Sequence, residues 1–177
     1  MLVTIGYRRM RDRREMVPRA RGFGYRLINY VAPRARTYPD LAMGENNILF
    51  DDVYVGPFGV LGSNNVIRPQ TYVGHDVRMG DHAFVAPGVS IGGRCRIGDL
   101  SFVGIGATVV DGVTIGRECL IGAAALLLRD AEPLGAYLGH PAKRVRELAD
   151  TGVVVGDGRA PPASAGTARS REETRKR

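Results

Sequence analysis

The 177-residue sequence has no tryptophan and only 7% aromatic residues, so it lacks the large side chains that usually fill a compact core. Cysteine is almost as scarce. Cys95 and Cys119 are too few for a disulfide framework and stand at no metal-ligand spacing, so they read as small apolar fillers. No run of eighteen apolar residues occurs, and the opening MLVTIGYRRMRDRR has charges where a secretory leader needs an apolar stretch. A cytoplasmic location is therefore expected. Acidic residues are rare at the start, where residues 1–36 carry ten arginines against Asp12 and Glu15. Residues 37–151, by contrast, hold nine basic and thirteen acidic side chains. The net charge of +7 thus comes from the two ends, and the body has no basic face of the kind a nucleic-acid binder presents.

What is abundant is glycine, with 24 residues, and it recurs at a fixed interval. Written in sixes from Val31, one column holds Val31, Thr37, Met43, Leu49, Val55, Leu61, Ile67, Val73, Met79, Val85, Ile91, Ile97, Val103, Val109, Ile115 and Ile121; fifteen of the sixteen are aliphatic. The second column is mostly glycine and the fifth mostly small or β-branched. A period of six keeps no stripe on a 3.6-residue helix, and sandwich strands alternate with period two. The pattern predicts a solenoid of short strands whose aliphatic residues stack coil upon coil, with the glycines turning the corners at positive φ.

This pattern resembles the hexapeptide-repeat acyltransferases, which wind as left-handed parallel β-helices with a triangular section and about three hexads per coil. The resemblance implies an all-β fold with residues eighteen apart lying above one another. It gives a β-helix over 31–128. Residues 1–30 are expected as a partial α/β segment of strand (LVTIGY), basic helix (RRMRDRREMVPRARG) and strand (YRLINYV). After the hexads stop, residues 129–150 are expected as a loop, a short strand and a short helix, and residues 151–177, rich in Gly, Pro, Ala, Ser and Arg, as a disordered basic tail.

The stretch VGHDVRMGDHAFVAPGVSIGG holds two of the chain's three histidines. His75 and Asp76 take the variable corner positions of their hexad, so His75 projects outward with a carboxylate beside it. A neutral imidazole there suits removal of a proton from an amine or hydroxyl attacking a thioester; an exposed His beside an exposed Asp is also common on surfaces without function. The stretch is similar to the motif of the sialic-acid O-acetyltransferase and nucleotide-amino-sugar N-acetyltransferase group, in which a His followed by an acidic residue is the general base. Gly93, eighteen residues on, matches the position whose backbone N–H stabilises the oxyanion in similar enzymes. Phe84 stands where related enzymes carry a second His, and His82 lies two residues earlier.

The resemblance also places a coenzyme A groove on the later coils, with Ile105, Gly106 and Ala123 at the matching positions. GHPAK at 139–143 would close the groove, Lys143 and Arg144 meeting phosphates. What it implies is an acetyl-CoA-dependent acyltransferase acting on an amino or hydroxyl group of a sugar, nucleotide-linked as in that group, working as a homotrimer without a metal. Two other readings are open. One is a metal-dependent lyase of the γ-carbonic-anhydrase type, which needs three ligand histidines where this chain has His75, His82 and His140. The other is a trimeric scaffold without turnover.

Overall fold

The structure, a computed structural model, describes residues 1–4, 6–150 and 152–156. Among these residues, sixteen two-residue strands follow one another from β1 (Tyr30–Val31) to β16 (Leu126–Leu127). They form three parallel sheets in which each strand up to Thr108–Val109 pairs with the one eighteen residues later. On one sheet β7 (Tyr72–Val73) pairs with β10 (Ser90–Ile91), Tyr72 opposite Ser90; on the next, β8 (Arg78–Met79) pairs with the strand Arg96–Ile97. The third carries β9 (Phe84–Val85), paired with β12 (Phe102–Val103). Two-residue strands suffice because each ladder continues through the stack, so almost every N–H at a rung meets a carbonyl of the next coil, as Gly74 N–H meets Ile91 O at 2.8 Å.

The aliphatic column points inward as its period predicts. Leu49, Val55, Ile67, Val73, Val85, Ile91, Val103 and Ile121 are each 0% exposed, and with the fifth-column residues Val53, Ala83, Cys95, Ala107 and Cys119 they form one continuous core. Each such aliphatic side chain contributes about 1.5–3 kcal/mol by leaving water. Both cysteines are buried fillers, and burial pushes their thiols up.

The corner glycines have a different reason from the one expected. None of the second-column glycines has positive φ. The left-handed residues are in the fourth column instead, including Asn46, Asn64, Asp76, His82 and Arg94 with φ between 56° and 63°. The second column is glycine because adjacent coils touch there: a Cβ on Gly74 would lie 2.6 Å from Gly93 N.

The ends also depart from expectation. The helix is present as α1 (Met10–Gly22), but residues 2–4 and 6–7 form no strand. Val3 N–H donates to Asn46 Oδ1 at 2.7 Å and Val3 O accepts from Asn46 Nδ2 at 3.1 Å, so its backbone is satisfied at a solenoid corner, where no strand edge is offered. Of YRLINYV only Tyr30–Val31 is a strand, and it is a rung of the solenoid, paired with Ile48–Leu49. α1 lies on the sheet of β9 and β12, where Met10 packs with Ile48, Val66, Phe84 and Phe102. The short helix expected within 129–150 is a strand: β17 (Gly135–Gly139) pairs with Leu120–Ile121, and β18 (Ala142–Glu147) returns antiparallel to it. Charged residues favour helix locally, but the open edge of β17 presents unpaired backbone groups that β18 satisfies. Residues 152–156, placed in the tail from sequence, pack back on α1 through Met10 N–H to Val153 O at 3.1 Å and Val155 N–H to Arg8 O at 3.0 Å. The rest of the expected disordered tail lies outside the described residues.

Candidate active site

The prism has three corners, one between each pair of sheets. His75 and Asp76 occupy the corner between β7 and β8. Asp76 takes a left-handed backbone (φ 56°), a conformation that aspartate tolerates better than most residues, and its carboxylate turns back so that Oδ2 is 2.8 Å from His75 Nδ1. A carboxylate at Nδ1 favours the tautomer with the proton there, which leaves Nε2 with a free lone pair. Nε2 is the ring atom nearest the place a side chain at Gly93 would take. A Cβ on Gly93 would lie 2.5 Å from it and 2.8 Å from the neighbouring ring carbons, so the imidazole rests directly on the Gly93 backbone. The ring and the carboxylate are about half exposed, open to an incoming substrate.

Gly93 N–H donates to Asp111 Oδ1 at 3.1 Å, and Asp111 Oδ2 lies 3.4 Å from Arg94 NH2. Asp111 was not among the residues singled out from sequence. Its signal was present: 75, 93 and 111 share one column at intervals of eighteen.

His82 and Phe84 are not brought to His75. His82 stands at the next corner, between β8 and β9, where its Nδ1 accepts from Asn64 Nδ2 at 2.8 Å. Burial lowers its pKa, with Arg13 and Arg14 adding to the fall and Asp81 and Asp99 opposing it. Phe84 lies on the sheet beneath α1, its ring centroid 4.6 Å from that of Tyr7 and 5.6 Å from that of Phe102. It anchors the N-terminal segment.

The family model described as bacterial transferase hexapeptide (six repeats) matches residues 58–93, a span containing His75, Asp76 and Gly93. Among solved structures, PerB of Caulobacter crescentus, crystallised with CoA and GDP-perosamine, is 30% identical, with a TM-score of 0.79 over 82% of this chain and 69% of that one. The chain belongs to the hexapeptide-repeat acyltransferase family. The acetyltransferase domain of PglB from Neisseria gonorrhoeae, also solved with acetyl coenzyme A, is 26% identical, with a TM-score of 0.78 over 81% of this chain and 69% of that one. WeeI from Acinetobacter baumannii, 22% identical with a TM-score of 0.70 over 81% and 70% of the two chains, shares the fold. No curated protein sequence matches the chain.

The residues expected at a coenzyme A groove gather at another corner. Ile105 and Gly106 lie between β12 and the strand Thr108–Val109, and Ala123 one coil above, with Ala124 N–H bonded to Ile105 O at 2.8 Å. The β17–β18 turn sits over the same edge, tied by Gly122 N–H to Tyr137 O at 2.8 Å, and carries exposed Lys143 opposite Leu138. Arg144, by contrast, reaches back to Pro133 O at 3.4 Å. Within one chain, therefore, the His75 corner and the Ile105–Ala123–Lys143 corner are separate. His140, on that turn, stands apart from both His75 and His82, and among the described residues no group of three or more His, Cys, Asp or Glu is placed to hold a metal. No helix among them is long and apolar enough to cross a membrane.

Proposed function

We propose that the chain transfers an acetyl group from acetyl-CoA to an amino or hydroxyl group of a nucleotide-linked sugar. The observation that carries this reading is the His75 imidazole, held by Asp76 at Nδ1 and lying with Nε2 over Gly93. The solved relatives with CoA and GDP-perosamine support both the donor and the acceptor class. Nε2 takes the proton from the acceptor nitrogen or oxygen as that atom attacks the thioester carbonyl. The carbonyl oxygen gains the negative charge and is held by Gly93 N–H; the C–S bond then breaks, and the imidazolium returns its proton to the departing thiolate. Asp76 orients the ring and offsets its transient positive charge.

Two corners of one chain carry the halves of this site, which favours an assembly in which the His75 corner of one copy faces the Ile105–Ala123–Lys143 corner of the next. A homotrimer satisfies that geometry. Lys143, exposed at the hairpin turn, then meets the phosphates of the donor.

The test is thiol release from acetyl-CoA in the presence of amino-sugar nucleotides. His75→Ala is expected to lower kcat by about 10²–10⁴-fold while calorimetric binding of coenzyme A stays at the wild-type level. Unchanged turnover in that variant removes the base, and absence of acetyl-CoA binding in the wild type removes the reading itself.

A further inference from the structure

The N–H assigned to the oxyanion is already in use. Gly93 is buried, its amide is given to Asp111 Oδ1, and that carboxylate lies against Gly92, where a Cβ would collide with Oδ1. The same coil-to-coil bond recurs at the His82 corner, where Ser63 N–H donates to Asp81 Oδ1 at 2.6 Å and Asp81 N–H to Asp99 Oδ1 at 2.8 Å. Those two bonds are shorter, and among the described residues no arginine stands within ion-pair distance of Asp81 or Asp99. Asp111 differs on both counts: its bond is 3.1 Å long, and Arg94, the residue after Gly93, approaches its other oxygen at 3.4 Å. Asp111 and Arg94 side chains are each 60% exposed, so the carboxylate can turn about its χ angles without disturbing the core. A fixed carboxylate at Gly93 would also repel the negative charge that develops on the thioester oxygen.

We propose that Asp111 is a positioning residue that masks Gly93 N–H in the empty chain and swings onto Arg94 when the acyl carbonyl arrives. The inference rests on the acetyl-CoA reading above. Masking lowers the affinity for acetyl-CoA and leaves that for free coenzyme A unchanged, since only the former has a carbonyl that must displace the carboxylate from the amide. Arg94 stabilises the displaced carboxylate and keeps its charge away from the reacting oxygen.

The experiment is calorimetric titration of acetyl-CoA and coenzyme A, side by side, into wild type, Asp111→Ala, Asp111→Asn, Arg94→Ala and the Arg94→Ala/Asp111→Ala double variant, each checked by thermal melting. Asp111→Ala is expected to tighten acetyl-CoA by up to about tenfold, the worth of one net hydrogen bond, with coenzyme A unchanged. Arg94→Ala should weaken acetyl-CoA severalfold relative to coenzyme A, and the double variant should return to the Asp111→Ala value. Asp111→Asn keeps an acceptor for Gly93 N–H and should stay near wild type. If Asp111→Ala does not fold, the Arg94→Ala ratio alone decides the matter. A ratio of the two affinities that moves in none of the variants overturns the masking while leaving the transferase reading intact. Failure of wild type to bind either compound overturns both.

Discussion

Replacing Gly93 by alanine should separate activity from stability at this site. The added Cβ would fall 2.5 Å from His75 Nε2 and 2.8 Å from Cδ2 and Cε1, against an ordinary contact of about 3.5–4.0 Å between such atoms. The imidazole must therefore move by roughly 1 Å, and because Nδ1 is tied to Asp76 it moves by tilting off the Gly93 backbone. A misplacement of that size at a reacting atom costs on the order of 10²-fold in kcat. Stability should hardly change: Gly93 does not have positive φ, and the atoms to be displaced belong to a half-exposed side chain. The loss of chain entropy in the unfolded state even favours alanine by about 0.4–1 kcal/mol. Gly74→Ala is the control. Its Cβ would lie 2.6 Å from Gly93 N and 2.8 Å from Gly92 C, which are backbone atoms inside a hydrogen-bonded ladder, so the coils must part at a cost of about 1–3 kcal/mol. Thiol-release kinetics and thermal melts on the two variants check this. Wild-type kcat in Gly93→Ala, or a melting temperature that falls as far as that of Gly74→Ala, refutes the placement of His75 on Gly93.

Other expectations follow from the same geometry. Asp76→Asn should lower kcat at least about tenfold with coenzyme A affinity unchanged, because an amide at Nδ1 no longer fixes the tautomer that leaves Nε2 free; a normal pH–rate profile in that variant speaks against the pairing. His82 has its pKa lowered from the usual 6.5 by burial, so its contribution to stability is fully present above 6.5 and is lost as pH falls below that value, where the unfolded chain takes up the proton first. The denaturation midpoint should therefore fall between pH 7 and 5 in wild type and fall less in His82→Gln. Ile91→Ala empties a fully buried rung of the core and should cost about 2–5 kcal/mol in urea unfolding; a smaller loss would mean that the coils can close over the gap.

The repeat was legible because a solenoid is a local device: six residues decide where the next rung stands, so Val73, Ile91 and Val109 declare the core without reference to anything distant. The same arithmetic puts Gly93 beneath His75, and the structure adds the contact of Nε2 with its backbone. Where residues outside the hexads settle depends on which surface or edge the folded coil leaves free, and no local pattern encodes that. LVTIGY alternates like a strand, yet Asn46 at a corner satisfies Val3; KRVRELAD is charged like a helix, yet β17 needed a partner. Left-handed φ at Asp76 and Arg94, in place of the glycines, comes from closing three sheets into a prism. The period of six, the inward column and the His75–Gly93 column were determined by the sequence by itself. That Asp111 takes the Gly93 N–H was decided only by the tertiary structure, because hydrogen bonds between coils exist only once the prism has closed.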